Sequence, residues 1–233
     1  MLVPGRENVG KSHARLAVTL SRLTDAEARS SSMRPGWSVG HVLTHLARNA
    51  DSHVRMLEGA ARGEVADQSP GGNERRAADI EAGAGRPAAE LVADVLSTAA
   101  LLEAAIEATP DEAWREGRGR VVTGIWQLAE LPFRRWREVE VHHVDLDLGY
   151  GVSDWPAEYV DAELPRCVAG LPARLEPATA IELRATDTGE RWLFPKEAAT
   201  ARHLVAGERR VLLGWLLGRV TDPRFPGLGP WTG

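Results

Sequence analysis

The chain has 233 residues, 43% of them hydrophobic and 26% charged, with a formal net charge of -5. Such a composition folds into a globular protein with a sizeable core, and its acidic balance argues against nucleic-acid binding, which draws on a basic face. No apolar run reaches the roughly 20 residues of a membrane span, and the start Met1–Glu7 reads as too short and too polar for the apolar core of a signal peptide, so a cytoplasmic protein is expected.

Leu16, Val18, Leu20 and Leu23, with charges between them, predict a first amphipathic helix over 11–28, broken by the small residues, proline and glycine of 30–36. Ser38 is placed to cap a second helix, whose stripe is Val39, Val42, Leu43, Leu46, Ala50, Val54 and Leu57. His53 falls inside that stripe and reads as a core histidine. His45 stands at its edge, in line with His41 and Asn49 a turn to either side. Residues 59–85 read as a loop with a short helix around 74–82. A third helix follows over 87–108 and ends at Thr109-Pro110. The stretch 111–130 has no period that assigns it.

Pro132 opens a fourth helix, since proline is tolerated in the first turn. Its stripe is Pro132, Trp136, Val139, His143, Leu146 and Tyr150. Glu138 and His142 lie together on the flank, in a row continued by Arg134 and Asp145. Beyond Gly149-Tyr150-Gly151 the pattern changes. A helix over 156–174 with a break or kink at Pro165, a hairpin of 180–186 with 190–194, a third strand over 201–205 and a last helix over 207–217 are expected. The tail 223–231 is too rich in proline and glycine for regular structure. The fold class expected is α+β: an all-α four-helix bundle over 1–151, then a smaller α+β domain over 152–233.

Glu138 and His142, four residues apart, stand one turn from each other and can give two ligands to one metal ion. Alone, such a pair is usually a solvated neighbour contact, and a lone histidine such as His45 says no more. Together they place two imidazoles and a carboxylate on matching flanks of two helices, a set that suits Zn²⁺ with a position left for water or substrate. His143 sits on the stripe and reads as packed. The single cysteine, Cys167, lies in an apolar helical run and reads as a structural thiol.

At these residues the chain resembles the mycothiol-dependent maleylpyruvate isomerases, of the DinB-like group of metal-binding four-helix bundles. The resemblance rests on the run from Gly36 to Asp51, on Arg135 to Leu146, and on Leu213-Gly214-Trp215-Leu216-Leu217-Gly218-Arg219. It implies zinc held by His45, Glu138 and His142, a catalytic arginine at Arg219, and mycothiol as thiol cosubstrate. It further implies cis-to-trans isomerisation of an unsaturated oxo-acid, maleylpyruvate, by reversible thiolate addition. Asn49 and Arg134, continuing the two rows, and Arg219 are the candidates for holding substrate or thiol. Three other readings stand beside this one: a mycothiol S-transferase acting on another electrophile, a metal-dependent hydrolase on the same bundle, and a non-enzymatic binding module.

Overall fold

The computed structural model describes residues 3–176, 179–194 and 203–229. It divides into two compact units, residues 1–148 and 149–233.

In the first unit, α1 (Arg6–Leu20) and the short α2 (Asp25–Arg29) replace the single helix expected over 11–28. The break has a local cause. Thr24 and Glu27 form a reciprocal capping box, which starts a new helix where the apolar pattern alone would have run on through Leu23. The long α3 (Val39–Ala61) begins as expected at Ser38, whose side chain accepts from the His41 amide while the His41 ring accepts from the Ser38 amide. This cap occupies His41, which also reaches Glu81 at 3.1 Å.

After the two-residue strand β1 (Ala66–Asp67) come α4 (Gly72–Ala84), α5 (Ala88–Ala108), α6 (Asp111–Glu116), strands β2 (Arg118–Val121) and β3 (Gly124–Gln127), and α7 (Leu131–Asp145). Helix α3 packs against α4, α5 and α7, with Val39, Val42, Leu43 and Leu46 fully buried. Two glycines bring α3 and α4 close. A Cβ on Gly40 would stand 2.1 Å from the Ala84 carbonyl oxygen, and one on Gly83 would stand 2.6 Å from Thr44 Cγ2. The expectation of an all-α half is corrected by the sheet β1-β2-β3, in which β1 pairs parallel to β2 and β2 forms a hairpin with β3. Gly119 lets β2 approach α3, because a Cβ there would meet Met56 Sδ at 2.5 Å.

A buried polar chain ties the helices together. Neutral His13 of α1 donates from Nδ1 to Glu103 of α5 at 2.6 Å and accepts at Nε2 from Arg135 of α7 at 3.0 Å. Arg135, fully buried, also donates to the Leu46 carbonyl at 2.8 Å and to Asn49 Oδ1 at 2.9 Å. Burial, then the Arg135 charge, pushes His13 down to about 2, and burial pushes the core histidine His53 down to about 4 against its hydrogen bond to the Asn49 carbonyl. Both rings take up a proton more readily unfolded than folded. Their contribution is therefore complete above about pH 6.5 and is lost as pH falls below it, at about 1.4 kcal/mol per pH unit for each ring. Urea unfolding between pH 7.5 and 5 should show this loss, and His13→Gln should remove one proton from the slope. An identical slope in the variant would contradict the assignment.

In the second unit, α8 (Ala157–Gly170) packs on α9 (Arg209–Leu216), beside a sheet of order β5-β4-β6. The hairpin of β4 (Ile181–Ala185) and β5 (Arg191–Phe194) is the expected one, with Ile181, Leu183 and Ala185 buried on one face. Strand β6 (His203–Gly207) pairs parallel to β4, and residues 201–202 of the expected third strand, like 230–231 of the tail, lie outside the described residues. Pro165 does not break α8, since it removes one rung of the ladder while the rest of the turn continues. No described helix is long and apolar enough to cross a membrane.

Candidate metal centre

Helix α3 contributes His45 and helix α7 contributes Glu138 and His142. One ligand atom from each lies within 4.8 Å of the others, the one such group of three among the described residues. His45 Nε2 is 2.9 Å from Glu138 Oε2 and 3.1 Å from His142 Nε2, and His142 Nε2 is 3.4 Å from Glu138 Oε2. A tetrahedral shell with metal–ligand bonds near 2.0–2.1 Å sets its donors about 3.3 Å apart. The three side chains are thus already spaced as a zinc site would hold them.

The rings are fixed from behind. His142 Nδ1 lies 2.8 Å from Asp145 Oδ2, the carboxylate–histidine pairing that orients a ligating imidazole and leaves Nε2 to face the ion. Trp37 packs edge-on to the His45 ring with centroids 5.6 Å apart. Burial pushes His45 down to about 4, outweighing its hydrogen bond with Glu138. For Glu138 burial acts to raise the carboxyl, but hydrogen bonds with His142 and His45 prevail and hold it well below the usual range. For His142 burial acts downward, and the contacts with Asp145 and Glu138 prevail to raise it. At neutral pH, His45 and Glu138 stand deprotonated, as metal ligands must.

Asn49 is buried one turn below His45, its side chain held by Arg135, and it lines a cleft of about 440 Å³ between α3 and α4. Arg134 is taken up by Glu130 at 2.9 Å and by the Trp126 ring, 3.7 Å beneath its guanidinium. Arg219 belongs to the second unit. It follows Gly218, whose φ of +75° ends α9, and its Nη1 donates to the Leu217 carbonyl at 2.6 Å, a helix-end contact. Cys167 is buried in α8, with Sγ 3.4 Å from Glu163 Oε1.

Two neighbours of the cluster were not singled out from the sequence as site residues. Asp145 was visible as a member of the Glu138–His142 row, and its i,i+3 spacing from His142 is the signal that could have found it. Arg76 of α4, 2.8 Å from His45 Nδ1, gave no such signal.

Residues 9–147 match the family model described as the mycothiol maleylpyruvate isomerase N-terminal domain. The fold is similar to a crystal structure of the mycothiol-dependent maleylpyruvate isomerase, with TM-score 0.82 and 21% identity over 98% of this chain and 92% of that one. It is similar also to a histidine-to-alanine mutant of that enzyme, with TM-score 0.82 and 20% identity over 94% and 90%. At this identity the likeness shows the fold. None of the curated proteins is a significant match.

Proposed function

The chain belongs to the family of the mycothiol maleylpyruvate isomerase N-terminal domain, and we propose that it is a zinc- and mycothiol-dependent isomerase converting maleylpyruvate to fumarylpyruvate. The observation that carries this reading is the His45–Glu138–His142 cluster, with donors spaced for one ion and Asp145 behind His142. We take the helical domain as 1–151, the C-terminal α+β domain as 152–233, and the protein as cytoplasmic.

Zn²⁺ bound by these three residues would supply the Lewis acid that keeps the cosubstrate's sulfur as thiolate, where a free thiol with pKa about 8.5 is mostly protonated. The protein's share is to deliver two ligands without a proton to remove, and to orient the third through Asp145. A cis double bond conjugated to a carbonyl does not rotate at a useful rate. Addition of the thiolate makes a C–S bond, turns the double bond into a single one and moves the electron pair onto the carbonyl oxygen as an enolate. After rotation the electron pair returns, the C–S bond breaks and the trans isomer leaves. No proton or electron is consumed. The enolate and the substrate's carboxylates call for a cation, and Arg219 is proposed for that role.

The test is conversion of maleylpyruvate by zinc-loaded protein with and without mycothiol. The reading expects no conversion without the thiol and fumarylpyruvate as sole product with it. Loss of substrate at the same rate without thiol would mean a hydrolase. Because the nucleophile comes from outside, Cys167→Ser should keep at least half of the wild-type thiol-dependent rate; a folded but inactive variant would contradict the scheme.

A further inference from the structure

The two histidines of the cluster are supported differently. His142 presents Nδ1 to a carboxylate, as a metal ligand does. His45 presents Nδ1 to Arg76 Nη2 at 2.8 Å. When Nε2 of a neutral imidazole ligates an ion, the ring's one proton must sit on Nδ1. A guanidinium has donors and no acceptor. In the loaded site two donors would then face each other across 2.8 Å, so the contact cannot survive loading. In the metal-free form it is satisfied, with His45 protonated on Nε2 and donating to Glu138.

We propose that Arg76 is the bundle's carboxylate-binding residue, parked on His45 in the metal-free protein and released into the α3–α4 cleft when the metal binds. This rests on reading the cluster as a metal centre. Three observations make the cleft the place for it. Arg76 lines it together with Asn49, Ser52, Arg55 and Gln68, in a volume of about 440 Å³ that suits a small oxo-acid. Of the other arginines lining it, Arg48 and Arg75 are ion-paired to Asp51 and Asp79, each at 2.9 Å, and Arg55 donates to the Gln68 carbonyl at 2.9 Å, whereas Arg76 makes no ion pair among the described residues and is held by the His45 ring. Arg76 also lies on the exposed face of α4, so its guanidinium can turn without repacking the core. An unsaturated oxo-acid carries a carboxylate at each end, and a guanidinium fork beside the metal would hold one of them in two parallel hydrogen bonds. Metal loading and substrate affinity would thereby be coupled through one side chain.

Two measurements on the whole protein test this. In a calorimetric zinc titration at fixed pH, Arg76→Ala should bind zinc about threefold to tenfold more tightly than wild type, because loading no longer breaks a hydrogen bond. With maleate as a dicarboxylate probe, zinc-loaded Arg76→Ala should bind about tenfold or more weakly than zinc-loaded wild type, with partial recovery in Arg76→Lys. In turnover the KM for the oxo-acid should rise while that for mycothiol stays unchanged. If wild type takes up zinc but Arg76→Ala binds either zinc or maleate as wild type does, the role of Arg76 is wrong and the metal reading stands. If wild type takes up no zinc, the metal reading fails and this proposal fails with it.

Discussion

His142→Ala is expected to purify without stoichiometric zinc and to lose thiol-dependent turnover by at least about a hundredfold. Removing this imidazole leaves His45 and Glu138, and two donors do not make a structural or catalytic zinc site. It also strips Asp145 of the ring it orients, leaving a buried carboxylate whose hydrogen bond to His142 is gone. Asp145→Asn should be milder, costing about tenfold to a hundredfold in zinc affinity, the usual effect of losing an outer-shell partner. The raised pKa of His142 adds a sign. Below that pKa a proton must be displaced before the ion binds, so wild-type zinc affinity should climb with pH through and above 6.5, and binding should release a proton. Elemental analysis of the two variants, and calorimetry in buffers of different ionisation enthalpy, read these outcomes. Undiminished zinc in His142→Ala would remove it from the ligand set.

Arg219→Ala is expected to keep zinc and to lose about a hundredfold in turnover. Withdrawing a charge-assisted contact from a developing enolate costs on the order of 3 kcal/mol in the barrier. Arg219→Lys keeps the charge without the fork and should be impaired as well, though less. The competing account is written in the structure itself. Arg219 donates to the Leu217 carbonyl just beyond α9, as a helix-end arginine does. Its backbone N–H bonds back to the Gly214 carbonyl at 2.7 Å, and Gly218 takes the left-handed conformation, so the turn itself does not depend on the side chain. A purely structural role predicts a lowered melting temperature with unchanged kcat. A catalytic role predicts the reverse, and saturating thiol and substrate separate the two.

The meeting of His45, Glu138 and His142 was legible because helical periodicity reports which flank a residue occupies. His45, Glu138 and His142 each fell beside an apolar stripe, and those stripes are buried in the structure except at Val54 and at Tyr150, which lies beyond the end of α7 and is, like Val54, half-buried. Ser38 was legible as a cap for the same local reason. The division of the first helix was written in Thr24 and Glu27, but the apolar Leu23 continued the pattern across it. Strands β1 to β3 escaped because runs of two and four residues show no period, and because the need for Gly119 comes from Met56, far away in sequence. Arg76 escaped for a deeper reason. It lies on a polar, largely exposed helix, and its meeting with His45 depends on the close approach of α4 to α3 that Gly40 and Gly83 permit. Sequence spacing reports one helix at a time, whereas that contact is a property of two.

The proposed reaction requires the His45–Glu138–His142 cluster to hold a metal to which an external thiol brings its sulfur. Replacing zinc by cobalt makes that visible, since a thiolate bound to Co²⁺ gives a near-ultraviolet charge-transfer band. Adding mycothiol to the cobalt-loaded protein should produce this band. S-methylated mycothiol should not produce it, nor should mycothiol added to His142→Ala. A cobalt spectrum unchanged by mycothiol, in protein that still isomerises maleylpyruvate in a thiol-dependent way, would contradict the account.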